Sequence, residues 1–338
     1  MTRVYLDYNA SAPLRPEASE SMMRAMDFLG NPSSVHKEGR AVKALVEKAR
    51  RQVAAGVGCK PAEVVFTSGA TESARVLAGR RVSVENIAHD AIWNYHCGET
   101  GSVEVVAIGL ANSETGVISH PARTDELLLL DITQALGRMP FSFEASGADM
   151  AICSAHKLGG PKGVGALIVR EGLDVAPLST GGGQEMGRRS GTENVIGIAG
   201  FGAAIAAAME DMKNGLWREV EKIRNILELS IENFAKDTIF IGRTGPRLPN
   251  TSCFITPGWK GETQVMAMDL AGYAISAGSA CSSGKVKTSR VLKSIGYSES
   301  DASCAVRVSL GPGTTEKEVC GFAYAWMKEY KKIKARRA

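Results

Sequence analysis

The sequence lacks most of the features that mark small, cross-linked or membrane-spanning proteins. Its seven cysteines are scattered, with no CxxC pair and no Cys/His spacing typical of zinc sites, so neither a disulfide framework nor a metal site is expected. No apolar run approaches the roughly 20 residues of a membrane span, and the N-terminal residues show no signal-peptide pattern. The net charge of +4 is too small to favour nucleic acid. We therefore expect a cytoplasmic protein without a nucleic-acid or membrane partner.

Two common nucleotide-binding motifs are also missing. The sequence contains neither GxxxxGK[ST], the phosphate loop of many nucleotidases, nor GxGxxG, the dinucleotide fingerprint. A P-loop nucleotidase and a Rossmann-type dehydrogenase are therefore both disfavoured.

Composition and pattern predict an α/β protein of about two domains. The chain has 338 residues, of which 44% are hydrophobic and 22% charged. Short apolar runs alternate with longer amphipathic stretches, and runs without internal alternation are typical of strands buried on both faces. The predicted strands of this sheet are 64–67, 103–108, 127–131, 150–154 and 166–170. We expect a mainly parallel sheet covered by helices in a large domain, 15–235, and a smaller α+β domain formed by 1–14 and 236–338.

The helices that flank these strands are predicted by apolar spacing. Residues 15–29 and 36–56 precede the sheet, and a last helix covers about 315–331. Residues 193–236 are also helical in pattern, with an interruption at Asn214-Gly215, and are expected to link the two domains.

Three charged residues stand at positions where charge needs a partner. Asp131 closes the apolar run LLLLD, which places it at the ligand-binding edge of an α/β sheet, although a helix N-cap would explain it equally well. Lys157 lies in the Gly-rich string SAHKLGGPKGVGAL and is a candidate Schiff-base former, with Lys162 as the rival. Arg307, inside the apolar run AVRVSLG, needs a buried anion, either a substrate carboxylate or an internal carboxylate.

Two segments of small residues are further candidates. FTSGATES, at 66–73, runs from a strand into a helix start, the arrangement that offers backbone N–H groups to a phosphate. Cys281 lies in SAGSACSSGKVKTS, a polar, glycine- and serine-rich setting suited to a reactive thiol, or else simply a turn.

Many of these strings together resemble the cysteine desulfurases, pyridoxal-phosphate enzymes of the class V aminotransferase-like family with fold type I. The resemblance covers nearly the whole chain. It rests on YLDYNASAP (5–13), GNPSSVH (30–36), VFTSGATES (65–73), the histidine in AHDAI (88–92), LANSETGV (110–117), LDITQ (130–134), SAHKLGGPKGVGAL (154–167), GGGQEMGRRSGTEN (181–194), GSACSSG (278–284) and RVSLG (307–311).

The resemblance implies a role for each matching residue. Lys157 would form the Schiff base with pyridoxal 5'-phosphate, Asp131 would pair with the pyridinium nitrogen, and His89 would stack on the ring and serve in proton transfer. Gln134 would bind the phenolic oxygen. The phosphate would be held by Ala70, Thr71, Ser154 and His156, and by Thr192 of a neighbouring subunit in a homodimer. Arg307, aided by Asn31, would bind the substrate carboxylate.

The implied reaction converts L-cysteine to L-alanine and leaves a persulfide on Cys281. A sulfur-acceptor protein such as an iron–sulfur scaffold would then receive the sulfur, with transfer-RNA thiolation and cofactor sulfuration as other destinations. A selenocysteine lyase or another class V transaminase or lyase is the alternative on the same scaffold. A degenerate, non-catalytic homologue acting in assembly or regulation is the alternative of a different class.

The chain departs from the family pattern in one region. The family motif has asparagine directly before its glutamate, where it contacts the cofactor, but this chain has Asn112-Ser113-Glu114, so the contact falls to Ser113 or Asn112. The stretch from Thr71 through His89 to Ser113 is also short for the family, so part of the large domain is expected to be trimmed.

Overall fold

The chain divides into two compact units. The computed structural model describes residues 3–98, 102–122, 125–278 and 288–336. One unit, called here the sheet unit, comprises Ser11–Ala111 and Ser119–Asn214. The other, called the terminal unit, comprises Met1–Ala10, Asn112–Ile118 and Gly215–Ala338.

Strands and helices alternate through both units. The strands are β1 (Val4–Tyr5), β2 (Val64–Thr67), β3 (Val82–Val84), β4 (Val105–Gly109), β5 (Leu127–Asp131), β6 (Met150–Ser154), β7 (Gly165–Val169), β8 (Ile239–Phe240), β9 (Thr251–Ile255), β10 (Tyr273–Ala274), β11 (Ser276–Ala277) and β12 (Ala305–Ser309). The α-helices are α1 (Pro16–Met26), α2 (Lys37–Val57), α3 (Ala70–Ser73), α4 (Asp90–Trp93), α5 (Phe143–Ser146), α6 (Val195–Lys213), α7 (Leu216–Phe234), α8 (Gly261–Leu270), α9 (Arg290–Ser294), α10 (Glu299–Ala302) and α11 (Glu316–Ala335).

The sheet unit is built on a six-stranded sheet in the order β2-β7-β6-β5-β4-β3. Strands β3 to β6 are mutually parallel, and β7 runs antiparallel to both β6 and β2. Every residue of β2, β6 and β7 is buried, as continuous apolar runs require. The predicted α/β class, with a mainly parallel sheet covered by helices, is confirmed.

Helix α6 is long and apolar enough, by length and composition alone, to cross a membrane, which the sequence analysis did not expect of any run. In the structure it packs against α1 and α2. A Cβ on Gly202 would lie 2.7 Å from Cα of Ala49, so small residues let α6 and α2 approach closely. Its apolar character is therefore accounted for by packing inside the sheet unit.

The terminal unit has its own sheet and core. Strands β11-β12-β9-β8 form an antiparallel sheet, and β1 pairs in parallel with β10. Phe254, Phe322 and Trp326 are fully buried, and the Trp326 indole N–H donates to Oε1 of Gln264 at 2.9 Å. Helices α7 and α11 pack together over this core.

The division between the units differs from the predicted domain boundaries. We predicted one domain over 15–235, but the chain divides at Asn214 and Gly215, and at Ala10 and Ser11 rather than after residue 14. The reason is that α7 buries Val220, Leu227 and Ile231 in the core of the terminal unit. Amphipathic spacing showed that this helix has an apolar face, but it carries no information about which core that face joins.

Candidate active site

Three candidate segments meet at one edge of the sheet in the sheet unit. Strand β5 ends at Asp131 and β6 at Ser154, and these strands are parallel neighbours. Strand β2 runs in the same direction, since β7 is antiparallel to both β2 and β6, and it ends in the turn before α3. The carboxyl ends of all three strands therefore lie at one edge, where α/β sheets bind ligands.

The turn after β2 brings backbone N–H groups close to β6. Gly69 has φ 155°, a conformation that favours glycine, and the Ala70 N–H donates to Oγ of Ser154 at 2.8 Å. A Cβ on Gly165 would lie 2.6 Å from Cα of Gly69. The structure thus brings together Ala70 and Ser154, two of the predicted phosphate ligands, at a point where the backbone packs too closely to accept a side chain at Gly165.

Glu72 and Arg189 fasten this turn to the loop that follows β7. Arg189 Nε donates to Oε1 of Glu72 at 2.9 Å, and the Ser68 N–H donates to its other oxygen. Partial burial alone would raise the pKa of Glu72, but these hydrogen bonds outweigh it, so the pKa of Glu72 lies below its ordinary value. The carboxylate is therefore charged and structural.

Asp131 is buried, and the polar groups that follow it line the same edge. Its Oδ1 accepts the Thr133 N–H at 2.9 Å, and the buried hydroxyl oxygen of Thr133 has no hydrogen-bond partner among the described residues. Gln134 Oε1 accepts from Arg138 Nη1 at 2.5 Å. A buried carboxylate is the polar group that a pyridinium nitrogen requires.

His156 and Lys157 form the short 3₁₀ turn directly after β6. Arg138 Nη2 donates to the Lys157 carbonyl at 2.8 Å and so anchors this turn to the residues after Asp131. Burial, assisted by the charges of Lys157, Lys162 and Arg138, lowers the pKa of His156 to about 4, so its imidazole is neutral at physiological pH. Lys157 is half-buried whereas Lys162 is exposed, which favours Lys157 as the reactive amine.

The remaining predicted ligands of the sheet unit are exposed. Thr71, His89, Thr192 and Asn31 all lie at the surface of the described chain. His89 caps α4, and its Nδ1 accepts the Ala91 N–H at 3.1 Å, so its neutral form carries the proton on Nε2. His89 thus presents a defined donor.

Arg307 has an internal carboxylate partner within the terminal unit. Its Nη2 donates to Oδ1 of Asp7 at 2.7 Å, and its Nη1 donates to the Ser113 carbonyl at 3.0 Å. Only 3% of the Arg307 side chain is exposed, and its buried Nε has no hydrogen-bond partner among the described residues. The internal ion pair that the sequence allowed is therefore present, and the Nε–H donor can meet a further acceptor.

Asn112 and Ser113 hold a turn in the terminal unit. Oδ1 of Asn112 accepts from the N–H groups of Glu114 and Thr115, at 3.0 and 2.8 Å, and from the Thr115 hydroxyl. This pattern is an Asx-type turn, which gives the Asn112 carbonyl a structural role. Ser113 contributes its main-chain carbonyl to Arg307.

Cys281 lies outside the described residues. Burial raises the pKa of Cys59, Cys153 and Cys253 to about 12, which makes these thiols poor nucleophiles. Cys97 and Cys320 are exposed. The structure therefore supplies matched surface thiols against which Cys281 can be tested.

Sequence reasoning missed two residues that hold the site together. Arg138 contacts both Gln134 and the Lys157 turn, and Asp7 pairs with Arg307. A charged residue at the end of an apolar run, as in VYLD, is the signal that would have indicated Asp7. The local pattern around Asp7 does not predict that its partner is Arg307, which lies 300 positions further along the chain.

Comparison with known proteins gives consistent matches. The aminotransferase class V family model matches residues 4–90 and 99–322. A cysteine desulfurase of Frankia sp. (strain EuIK1) is 37% identical over 94% of this chain and 88% of its own length. A solved NifS-like protein has a TM-score of 0.87 and 30% identity, covering 98% of this chain and all of its own. A solved structure described as SspA in complex with cysteine has a TM-score of 0.74 and 26% identity, covering 93% of this chain and 100% of that one.

The comparisons also bear on the short region. The alignment with the Frankia protein spans 372 positions, more than the 338 residues of this chain, so the chain lacks segments that the relative has. The family match is interrupted between residues 90 and 99, within the stretch that the sequence analysis found to be short.

Proposed function

The chain belongs to the class V aminotransferase family, and from that membership we propose that it is a pyridoxal-phosphate-dependent cysteine desulfurase. It converts L-cysteine to L-alanine and transfers the sulfur to a thiol of its own. The observation that carries the proposal is the sheet edge where the parallel strands β5 and β6 end at Asp131 and Ser154, with Lys157 in the turn after β6. Arg138 links this turn to Gln134. Its supply of sulfur to iron–sulfur cluster assembly is part of the same proposal.

The residues at this edge fit the cofactor. Ala70 N–H and the Ser154 hydroxyl lie within hydrogen-bond distance of each other at the turn before α3, where a phosphate would find both donors. Asp131 supplies a buried carboxylate for the ring nitrogen, and the buried hydroxyl of Thr133, which has no partner among the described residues, is a polar group that a polar ligand can satisfy. When bound, pyridoxal phosphate supplies an electron sink that acidifies the substrate Cα–H bond.

The chain's own residues perform the remaining tasks. Lys157 Nζ is the point of covalent attachment and, when released, the base that takes the α-proton. Neutral His156 donates or accepts a hydrogen bond without adding charge. The Cys281 thiolate attacks the sulfur of the substrate, so that an S–S bond forms and the C–S bond breaks. The electron pair left on carbon takes a proton, which yields alanine.

Partners and location belong to the proposal. The chain acts on L-cysteine as a homodimer in which Thr192 contacts the phosphate bound by the neighbouring subunit, and a scaffold protein accepts the sulfur. A cytoplasmic location is supported by the described cysteines, all of which are free thiols. Sedimentation velocity of the purified protein tests the dimer, and a monomer that retains full activity would contradict it.

The test of function combines colour with product analysis. We expect a yellow protein that makes alanine from L-cysteine and, with a reductant, an equal amount of sulfide. Lys157→Ala should lose the visible absorption band, whereas Lys162→Ala, at an exposed lysine of the same loop, should keep both band and activity. A colourless protein would indicate a non-catalytic homologue.

A second comparison separates the desulfurase from its sister enzymes. Cys281→Ser should keep the colour but lose sulfur transfer, and Cys97→Ser and Cys320→Ser, at exposed thiols, should remain active. Mass spectrometry should find the persulfide on the peptide that contains Cys281. A yellow enzyme whose turnover is unaffected by Cys281→Ser would instead be a transaminase or lyase of another specificity.

A further inference from the structure

Asp7 is the described carboxylate that meets the buried guanidinium of Arg307 in the terminal unit. We propose that Asp7 is a positioning residue that holds Arg307 in the orientation needed to receive the carboxylate of an amino-acid substrate. The proposal rests on the proposed function, since it gives a role to Arg307 in cysteine binding.

The geometry shows how Asp7 fixes the guanidinium. Arg307 on β12 and Ser276 on β11 are direct partners in the antiparallel register, so their side chains share one face. Asp7 uses both oxygens there: Oδ1 accepts from Arg307 at 2.7 Å, and Oδ2 accepts from the Ser276 hydroxyl at 2.8 Å. With neither oxygen free to exchange partners, the carboxylate is held across the strand pair.

Because both side chains are largely buried, the ion pair with Asp7 fixes the orientation of the Arg307 guanidinium. The side chain of Arg307 is 3% exposed and that of Asp7 16%, so water does not compensate for a lost partner. The Arg307 guanidinium also donates to the Ser113 carbonyl, which accepts a second hydrogen bond from Nδ2 of Asn9 at 3.2 Å. Nε of Arg307 is a buried donor with no partner in the part of the chain that the structure describes, and such a donor fits an acceptor that arrives with a ligand.

The charge of Asp7 determines what kind of recognition is possible. Because Asp7 neutralises Arg307, a substrate carboxylate meets an already paired cation, and long-range attraction contributes little. Affinity then depends on directed hydrogen bonds, which are sensitive to the orientation of the donor. The position of the guanidinium is therefore more important than its net charge.

The critical experiment compares two ligands and two substitutions in the holoenzyme. L-Cysteine has the carboxylate, and cysteamine is the same molecule without it. Binding is measured from the cofactor absorbance in a Cys281→Ser background, where sulfur transfer does not proceed. We expect Asp7→Ala to raise the dissociation constant of L-cysteine about tenfold or more and to leave that of cysteamine within about twofold.

Asp7→Asn is the conservative rescue. Its Oδ1 still accepts from Arg307, and its amide can donate to the Ser276 hydroxyl, which both donates and accepts. We expect cysteine affinity within about threefold of the parent. In enzyme with Cys281 intact, Asp7→Ala should raise KM far more than it lowers kcat.

Glu228→Gln is the matched structural control. Glu228 and Arg247 form a buried ion pair in the same unit, with contacts of 2.6 and 2.7 Å. This substitution should lower the melting temperature and leave the ratio of cysteine to cysteamine affinity unchanged. If Asp7→Ala does not fold, Ser276→Ala removes the second anchor of Asp7, and we expect it to weaken cysteine binding about threefold while cysteamine binding is unchanged.

Two results would overturn the proposal. One is an equal loss of cysteine and cysteamine affinity in Asp7→Ala or, if that variant does not fold, in Ser276→Ala. The other is an Asp7→Asn enzyme as impaired as Asp7→Ala, which would show that charge rather than position matters. Failure of the proposed function itself is recognised separately, since the unsubstituted enzyme would then be colourless or make no alanine.

Discussion

At the scale of single residues, His156 shows how a site sets the protonation of its own groups. Its pKa is lowered to about 4 by burial and by the cations Lys157, Lys162 and Arg138. The unfolded chain therefore binds a proton at His156 between about pH 6.5 and 4 that the folded chain does not. By linkage, this contribution to the free energy of unfolding is intact above pH 6.5 and is lost as the pH falls towards 4.

This linkage predicts a flatter acid limb for His156→Gln. The free energy of unfolding is measured by urea titration at pH 6.5 and at pH 4, without added pyridoxal phosphate. The decrease between these two pH values should be smaller in the variant than in the parent, by roughly 1–2 kcal/mol. This energy difference is smaller than the energy equivalent of the whole pKa shift, because the imidazole ring is only partly buried and solvent screens the charges around it. His120→Gln, at an exposed histidine, should follow the parent curve, and a His156→Gln curve parallel to the parent would contradict the prediction.

At the scale of elements, one ion pair ties α2 to the loop that carries Thr192. Arg50 donates from both terminal nitrogens to Glu185, each at 2.8 Å, and the side chains are 8% and 2% exposed. Glu185 also accepts the Phe66 N–H at 2.9 Å. Glu185 and Met186 have φ of 50° and 58°, values that side chains disfavour, so the ion pair holds a strained turn in place.

Breaking this pair should be costly. Arg50→Met leaves Glu185 buried and unpaired, and we expect a loss of about 3–5 kcal/mol in the free energy of unfolding. Lys60→Met, which removes an exposed ion pair with Glu171, should leave the free energy of unfolding almost unchanged, because water screens that pair. The double variant Arg50→Met/Glu185→Leu should recover part of the loss, and a loss below about 1 kcal/mol in Arg50→Met would contradict this account.

Element boundaries were largely predictable because they depend on local pattern. Strands β2, β5 and β6 begin and end where the apolar runs predict, and the interruption at Asn214-Gly215 separates α6 from α7. Strand β3 was not predicted, since its three residues, VSV, are too short to show a period.

Long-range pairing was not predictable in the same way. Three features depend on contacts between distant parts of the chain: the packing of α7 in the terminal unit, the Arg50–Glu185 ion pair and the Arg307–Asp7 ion pair. The sequence indicated that Arg307 needs an anion, but it left substrate and internal carboxylate as equal alternatives. Only the fold decides which residues meet.

At the scale of the whole molecule, the predicted cofactor and substrate ligands are distributed unevenly between the two units. Asp131, Ser154, His156 and Lys157, with the other phosphate and ring ligands, belong to the sheet unit. Asn112, Ser113 and Arg307 belong to the terminal unit. A ligand that binds the folded state stabilises what it binds, by about 2.7 kcal/mol at one hundred times its dissociation constant.

Hydrogen exchange can locate that stabilisation. When pyridoxal phosphate is restored to stripped protein, exchange should slow in β5 and β6, which end in the predicted cofactor ligands Asp131 and Ser154, and change little in β9 and β12. Lys157→Ala is the control, since loss of covalent attachment should reduce the protection of β5 and β6. Equal slowing in all four strands would mean that the two units open together, and the cofactor would then stabilise the chain as one cooperative unit. Protection confined to the sheet unit would instead leave the Arg307 network to be stabilised by the substrate, which is the role implied by its buried Nε, a donor that no described residue pairs.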